Sequence, residues 1–245
     1  MRSDIIFVTY GEHNAEQNWI KLVSRIPNAK RVSNVKGIYN AYKTAADNSE
    51  TDYFFVVDAD NIIEDDFNFD YIPSDNSIGT FIWQAKNPVN QLTYGYGGLK
   101  MYKKSEFYSI ENLPKNLSNP FDFMSFYDFP ITSKIKFIKE IASLTHFNSS
   151  PFDAWKAAFR ECCKLASFGT HLGLPEIQLS DNKNRLGIWC TTGKDKPFGE
   201  WVILGAEEGK LFGLANINNI SGLAKINDYN WLKQYFIKKH HDVFS

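Results

Sequence analysis

The feature that most constrains this chain is an alternation of strand and helix patterns near its N-terminus. Runs of β-branched and aromatic residues at 4–10 and 52–57 predict two strands, and 29–32 is expected to form another strand between them. Between them, apolar residues recur at helical spacing from Trp19 to Ile26 and from Ile38 to Ala45. A β-α-β-α-β order implies a mostly parallel sheet flanked by helices and joined by right-handed crossovers. The sequence therefore predicts an α/β fold.

Local signals set the expected ends of these two helices. Asn14 and Gln17 have the spacing of a capping box, which predicts that the Asn14 side chain caps the first helix. Pro27 ends that helix, and Gly37 opens the second one.

The remainder of the chain predicts a looser and more helical region. Ser150 is expected to cap a helix that Pro151 begins. With no repeat or linker in view, we expect one domain over 1–245, with an α/β half at 1–110 and a more helical half at 111–245. The other expected elements are strands at 78–83 and 99–102, a loop at 112–130, and helices at 200–208 and 222–239.

Composition excludes several classes of protein. A hydrophobic content of 43% with 22% charged residues is typical of a folded soluble domain. No apolar run approaches the roughly 18 residues of a membrane helix, and the first residues do not resemble a signal peptide. The three cysteines form neither a disulfide framework nor a zinc motif, which favours a cytoplasmic protein. A net charge of -1 argues against a general nucleic-acid coat protein.

The strongest chemical signal is Asp58-Ala59-Asp60, directly after the apolar run DYFFVV. Side chains two residues apart point the same way in extended chain, so both carboxylates can meet at the carboxyl end of a parallel strand. Two close carboxylates repel each other unless a cation joins them, and Mg²⁺ or Mn²⁺ suits such ligands. The alternative interpretation is a loop in which the aspartates cap backbone N–H groups.

Three segments resemble glycosyltransferases of the GT-A fold, a Rossmann-like fold, and most closely those of family 2. They are IIFVTYGEHN at 5–14, VKGIYNAYKTAADNSETDYFFVVDADN at 35–61 and YGYGGLKMYKKSEF at 94–107. The resemblance covers about the first 110 residues, and it implies that 1–110 is the nucleotide-sugar-binding half and 111–245 the acceptor-side, helical half of a single domain. A second, less extensive similarity is to small glycosyltransferases encoded by tailed phages. This would place the protein in the host cytoplasm.

The resemblance implies a role for each matching residue. The nucleotide sugar, with a UDP-sugar as the expected donor, would contact Thr9, Tyr10, Glu12, Lys36, Gly37, Asn40 and Asp58. Tyr10 would stack on the base, and Lys36 and Gly37 would meet the phosphates at a helix N-terminus. Mn²⁺ or Mg²⁺ would be held by Asp58, Asp60 and His146.

The catalytic base is a separate question, because the chain lacks a Q-x-x-R-W motif and the paired acidic residues of inverting family-2 enzymes. Asp122 and Asp128 are the candidates, and the sequence does not choose between them. Asp153 is a third carboxylate, for which helix capping is the favoured interpretation.

Several functions remain open from the sequence alone. The expected one is metal-dependent sugar transfer to a hydroxyl, with hydroxymethylated pyrimidine in phage DNA as the expected acceptor. A surface glycan or lipid-linked sugar is the alternative acceptor, and nucleotidyl transfer or non-catalytic nucleotide-sugar binding are alternative functions. Three basic clusters would form either a DNA track or solvated faces: Lys30, Arg31 and Lys36; Lys100, Lys103 and Lys104; Lys134, Lys136 and Lys139.

Overall fold

The computed structural model describes residues 3–95, 98–108, 134–172 and 176–240. The chain forms two compact units, Met1–His146 and Phe147–Ser245. The first is an α/β unit and the second is helical, which confirms the predicted fold class. The first unit extends past residue 110 because a later strand returns to its sheet. A single domain over 1–245 stays a prediction.

One mixed sheet forms the centre of the first unit, in the order β2-β1-β3-β7-β5-β8-β4, with β6 beside β5. β1, β2 and β3 are parallel neighbours, and β7 lies antiparallel between β3 and β5. β8 is parallel to β5, so β1, β2, β3, β5 and β8 share one direction. The strands are β1 Asp4–Thr9, β2 Lys30–Ser33, β3 Tyr53–Asp58, β4 Asn61–Ile63, β5 Ile78–Lys86, β6 Thr93–Tyr94, β7 Leu99–Lys103 and β8 Lys134–Thr145.

Two helices complete the first unit, α1 at Ala15–Arg25 and α2 at Ile38–Asn48. Alternation along β3 divides its side chains between them. Phe55 packs in one core cluster with Leu22 of α1, and Phe54 packs in another with Tyr42 of α2. Both faces of β3 are therefore buried, as its unbroken apolar sequence predicts.

The second unit is built on a close crossing of two helices. Gly205, Gly209 and Gly213 of α5 face the backbone of α3 at Trp155, Phe159 and Cys163. A Cβ on Gly209 would lie 2.1 Å from the Phe159 carbonyl oxygen, so only glycine permits this approach. The helices are α3 Pro151–Leu172, α4 Glu176–Trp189, α5 Gly199–Ala215, α6 Ile220–Leu223 and α7 Tyr229–His240.

Aromatic side chains fill the rest of this helical core. Trp155 lies 4.6 Å from Phe159 and 5.1 Å from Phe236 between ring centroids. Its indole N–H donates to Glu208 at 2.9 Å, which satisfies the polar atom of a fully buried ring. Across the described ranges, no helix is both long enough and apolar enough to cross a membrane.

Two helix predictions are wrong in detail. Asn14 precedes α1 but makes no side-chain cap; its amide donates instead to the His146 carbonyl at 2.8 Å. The helix expected over 222–239 is interrupted, and α7 begins only at Tyr229. There, the Asp228 carboxylate accepts from the backbone N–H groups of Asn230 and Trp231, both at 3.0 Å, and caps a new helix.

Candidate active site

The predicted donor-binding residues lie at one edge of the sheet. β1 and β3 are parallel neighbours, so Thr9 and Asp58 both stand at carboxyl ends. β8 ends at the same edge, where Thr145 pairs with Asn61 at the start of β4. Open α/β sheets bind ligands at this edge, because loops diverge there and leave a crevice.

Asp58 is held by two side chains from other elements. The Tyr42 hydroxyl donates to Oδ1 at 2.9 Å, and Lys100 Nζ donates to Oδ2 at 3.2 Å. Lys100 also donates to the Tyr42 hydroxyl oxygen. Lys100 has 2% of its side chain exposed, whereas Asp58 has 30%.

This arrangement defines what Asp58 can do. Because Lys100 balances its charge, the carboxylate adds little net attraction for a cation. A carboxylate oxygen can accept more than one hydrogen bond. The Lys100 ammonium is buried and would be costly without a charged partner. Asp58 is therefore a rigid, neutralised and partly exposed hydrogen-bond acceptor, which suits a ribose or sugar hydroxyl.

Asp60 has a different environment. Asn61 Nδ2 donates to Asp60 Oδ1 at 2.7 Å, and the backbone N–H of His146 donates to the Asp60 carbonyl at 2.6 Å. Its neighbour Ala59 is buried, and Asn18 donates to the Ala59 carbonyl at 2.7 Å. The backbone of the turn after β3 is thus fixed from both sides.

Asn61 is a site residue that the sequence analysis did not single out. Its Oδ1 accepts from Ser143 at 2.9 Å and from Thr145 at 3.0 Å, while its amide reaches Asp60. A Cβ on Gly98 would lie 2.0 Å from the same oxygen, so glycine makes room for this amide. The only sequence signal is an asparagine directly after the Asp-Ala-Asp motif.

The loop after β1 is closed by Glu12. Its Oε2 accepts from the Thr9 hydroxyl at 2.7 Å and from the Tyr10 backbone N–H at 2.8 Å. Gly11 has φ 83°, a left-handed conformation that glycine adopts without strain. Tyr10 is 44% exposed, and the stacking of a base on its ring stays a prediction. Thr9 and Glu12 shape the loop, and their contact with a nucleoside stays a prediction.

The loop after β2 lies beside it. The Asn34 backbone N–H donates to the Thr9 carbonyl at 3.0 Å, and Asn34 has φ 60°. Gly37, with φ 87°, precedes α2 without a side-chain cap. Asn40 donates to the Lys36 carbonyl at 3.1 Å, and both side chains are exposed. This leaves a helix N-terminus, with its free N–H groups and positive dipole end, open to a phosphate.

The remaining predicted residues have separate outcomes. His146 lies next to Asp60 through its backbone; coordination by its imidazole stays a prediction. Asp122 and Asp128 lie outside the described residues. Ser150 caps α3, since its hydroxyl accepts from the Asp153 backbone N–H at 3.1 Å and donates to the Asp153 carboxylate at 2.7 Å. The Asp153 carboxylate also pairs with Lys156 at 2.9 Å, and its own role as a cap stays a prediction.

Asp58 and Asp60, at the carboxyl end of β3, fit a hard divalent cation that takes only one or two ligands from the protein. Within the described ranges, no three His, Cys, Asp or Glu side chains gather into a metal cluster. Mg²⁺ or Mn²⁺ in nucleotide enzymes commonly takes one or two carboxylates, with substrate phosphates and water completing the shell. Asp60, whose Oδ1 accepts from the Asn61 amide, follows Asp58 by two residues and is the candidate ligand for such a cation.

Comparison with known proteins gives structural neighbours but no family. No family model and no curated protein matches the sequence. A mannosyltransferase from Pyrobaculum calidifontis, solved with GDP-Man and Mn²⁺, is 11% identical, with 94% of this chain and 88% of that one covered and a TM-score of 0.46. A glycosyltransferase involved in glycosylation of the PBCV-1 major capsid is 14% identical, with coverages of 56% and 82% and a TM-score of 0.36.

A further solved structure belongs to another class of nucleotide-sugar enzyme. It is a putative glucose-1-phosphate thymidylyltransferase from Bacillus anthracis, 12% identical over 57% of this chain and 87% of that one, with a TM-score of 0.35. These identities and TM-scores are low, so the activity of this chain has to be argued from its own residues.

Proposed function

We propose that this chain is a metal-dependent glycosyltransferase, which moves a sugar from a nucleotide-sugar donor to a hydroxyl group. The observation that supports it most is the pair of carboxylates at the carboxyl end of β3. Asp58 is neutralised by buried Lys100 and presents a hydrogen-bond acceptor, and Asp60, two residues further on, is oriented by Asn61 and is the proposed ligand of a cation. Both stand where α/β sheets bind nucleotides.

The donor would extend across the loops after β1, β2 and β3. Tyr10 offers an exposed ring for the base, and Asp58 accepts a ribose or sugar hydroxyl. The N-terminus of α2, at Gly37, receives the diphosphate together with Lys36. The phosphates would then lie between the N-terminus of α2 and the Asp60 carboxylate. Because phosphate and carboxylate are both negative, a cation has to bridge them.

Asp60 would hold Mn²⁺ or Mg²⁺, with His146 as a further ligand. When bound, the cation neutralises the negative charge that develops on the departing nucleoside diphosphate. The protein itself would contribute by holding Asp60 in a fixed position before the donor binds. Asn61 orients the Asp60 carboxylate, and the His146 N–H fixes its backbone. Fixed dipoles of this kind lower a barrier because they need no reorganisation during reaction.

The acceptor needs a hydroxyl and a base that takes its proton. Asp128 or Asp122 would be that base. Hydroxymethylated pyrimidine in phage DNA is the proposed acceptor, since its hydroxymethyl group supplies a primary alcohol. A surface glycan or lipid-linked sugar is the alternative acceptor.

The basic clusters give the DNA acceptor limited support. Lys30 pairs with Asp4 at 3.3 Å and Glu50 at 3.0 Å, and Arg31 pairs with Glu16 at 2.7 Å. Lys100 is buried against Asp58, so it cannot contact phosphate at the surface. Lys136 and Lys139 are exposed, and any DNA track would depend on them together with Lys36.

A donor screen tests the activity directly. The protein is incubated with UDP-, GDP- and dTDP-sugars and Mn²⁺, and release of nucleoside diphosphate is measured. We expect release with one class of donor and none after chelation by EDTA. Release of pyrophosphate from a nucleoside triphosphate and a sugar phosphate would instead show nucleotidyl transfer. Donor binding without release in the presence of every acceptor tested would leave a binding protein.

A further inference from the structure

The turn after β5 holds two buried asparagines whose side-chain N–H groups are unpaired. Asn87 has 1% of its surface exposed and Asn90 has 4%. Across the part of the chain that the structure describes, nothing accepts a hydrogen bond from Nδ2 of either residue. Folded proteins leave few buried donors unpaired, because each one costs free energy. Two in one short turn are thus unusual for a purely structural loop.

The backbone of the turn settles which way each amide points. Asn87 Oδ1 accepts from the backbone N–H groups of Val89 at 2.9 Å and of Asn90 at 3.2 Å. Asn90 Oδ1 accepts from the Leu92 N–H at 3.1 Å. A backbone N–H can only donate, so exchanging O and N in either amide would set two donors against each other. The turn therefore presents donors and keeps both side-chain oxygens occupied.

Other hydrogen bonds already hold the turn in shape. The Asn87 N–H donates to the Leu92 carbonyl at 2.8 Å, and the Gln91 N–H donates to the Asn87 carbonyl at 2.9 Å. The side-chain amide of Gln91 donates to the Pro88 carbonyl at 2.9 Å. Since these bonds close the turn, its shape does not require the N–H groups of the Asn87 and Asn90 side chains.

The turn stands at the edge of the sheet that carries the proposed donor site. Lys100 of β7 pairs with Val56 of β3 and with Ile82 of β5. β3 and β5 therefore run in the same direction, and the turn after β5 lies beyond the same edge as Asp58. The proposed donor contacts belong to the loops after β2, β1 and β3, whereas β5 lies on the far side of β3 and β7. The turn thus occupies the side of the edge that the donor leaves for an acceptor.

We propose that the Asn87 and Asn90 amides bind a ring carbonyl oxygen of the acceptor pyrimidine, an inference that rests on the proposed function and adds a base-recognition site to it. A site that only donates selects a group that only accepts. A pyrimidine carbonyl is such a group, whereas a sugar hydroxyl has a proton of its own that needs a further acceptor. A phosphate carries negative charge, which two buried neutral amides do not balance. Enzymes that modify one base of DNA commonly read the extruded base through its polar edge.

Burial affects both access and strength. Both amide nitrogens are shielded from water, so binding requires part of the turn to move, and Gln91 forms its exposed side. The cost of removing these N–H groups from water belongs to folding and does not count against binding. Hydrogen bonds formed there are also stronger than bonds at an exposed surface, because the surroundings screen them less.

NMR of the 15N-labelled full chain tests the proposal. Each asparagine NH2 group gives a pair of signals that moves downfield when its proton enters a hydrogen bond. The pairs are assigned by their loss in Asn87→Ser and Asn90→Ser, in which a hydroxyl oxygen can still accept from the backbone of the turn. If a variant does not fold, connectivity to the backbone signals of the wild type assigns the pair instead.

Three probes are titrated into the wild type without donor. One is a single-stranded oligonucleotide with one 5-hydroxymethylcytosine, the second is the same strand with an abasic site at that position, and the third is a neutral oligosaccharide. We expect both NH2 pairs to shift downfield with the first probe and with neither of the others.

Affinity for the first probe gives a second measurement. Asn87→Ser should bind it about tenfold more weakly, as the loss of one buried hydrogen bond implies. Asn68→Ser is the matched control, because Asn68 Oδ1 also accepts from a backbone N–H of its own turn, that of Asp70 at 2.8 Å, but its side chain is exposed. That variant should bind like the wild type, and equal weakening in both variants would contradict the proposal.

The probes also define what would overturn the proposal. Equal shifts with the abasic strand would assign the amides to a phosphate near Lys86, and shifts with the oligosaccharide alone would assign them to a glycan. Shifts with none of the probes would leave these N–H groups to bound water. Because no donor is present, failure of sugar transfer would appear only in the donor screen, so the two proposals can fail separately.

Discussion

Lys100 and Asp58 form an ion pair of 3.2 Å in which the lysine is buried and the aspartate faces solvent. Tyr42 completes the pair by donating to the same carboxylate at 2.9 Å. A lysine charge without its partner is costly at this depth, so the aspartate is locked into one orientation. The same pair therefore links the stability of the sheet to the shape of the proposed donor site.

Replacing Lys100 tests this link. Lys100→Met removes the charge and leaves Asp58 with Tyr42 alone. We expect a loss of roughly 1–3 kcal/mol in the free energy of unfolding, since an unmatched polar contact carries about that cost. Urea unfolding measures it. Lys103→Met is the matched control: its ammonium donates to the Asn76 carbonyl at an exposed position, and unfolding should change little. Equal effects for both variants would contradict the special role of Lys100.

Asp60→Asn tests the metal assignment. The amide keeps the size of the side chain but removes the charge that would hold Mn²⁺, so metal-dependent donor binding should be lost while the fold is retained. Calorimetric titration of a nucleotide sugar with and without Mn²⁺ measures the effect, and circular dichroism checks the fold. Turnover at the wild-type rate by this variant would rule out Asp60 as a ligand.

Tyr10→Ala tests the stacking site. Because Tyr10 is 44% exposed, its removal should leave thermal stability nearly unchanged. A base that stacks on it should lose roughly 1–3 kcal/mol of binding, seen as a higher donor KM with kcat retained. Tyr10→Phe keeps the ring and should behave like wild type. An unchanged KM in the alanine variant would make Tyr10 a structural loop residue.

Gly209→Ala tests the close crossing of α3 and α5. The added methyl would meet the Phe159 carbonyl oxygen at 2.1 Å, so the helices must separate. Overpacking of this kind costs about 1–3 kcal/mol. Gly187→Ala in α4 is the control, because no heavy atom lies within 4 Å of its added Cβ. That variant should gain stability, by about 0.5–1 kcal/mol. Equal destabilisation by both variants would show that the effect is not specific to the close crossing of α3 and α5.

The elements that the sequence predicts well are those with a local pattern. β1, β2 and β3 lie within about two residues of their expected bounds, because β1 and β3 are short apolar runs and the helices of clear period on either side of β2 leave little room for its placement. The placement of Asp58 at the end of β3 follows from that run alone. These signals need no knowledge of distant residues.

What the sequence does not reveal depends on contacts between distant segments. In the sequence, Lys100 belongs to a cluster of lysines that is typical of a surface. Only the pairing of β7 with β3 brings its ammonium within hydrogen-bonding distance of the Asp58 carboxylate. The 12 residues of β8 mix lysine with isoleucine, and the strand pairs with β5 in an irregular register. Its polar and apolar residues therefore do not alternate as they do in a regular strand. α4 lacks a clear apolar stripe, so its helical period is not visible.

The proposed acceptor gives the last prediction. Oligonucleotides carrying hydroxymethylated pyrimidine should gain the mass of one sugar in the presence of Mn²⁺ and the correct donor, and unmodified oligonucleotides should not. The hydroxymethyl group supplies the primary alcohol that ordinary bases lack, and a carboxylate such as Asp128 or Asp122 would take its proton. The target base has to leave the stack to reach the edge beside Asp58 and Asp60.

Salt dependence and a lysine variant separate DNA from a glycan acceptor. Binding to DNA phosphates releases counterions, so transfer to DNA should fall steeply as salt rises, while transfer to a neutral glycan should not. With Lys30, Arg31 and Lys100 engaged in ion pairs, the phosphate contacts would depend on exposed cations such as Lys136 and Lys139. Lys136→Gln with Lys139→Gln should then weaken transfer to DNA without affecting donor hydrolysis. Transfer to a glycan, with no mass gain on modified DNA for any donor, would assign the acceptor to the polysaccharide class.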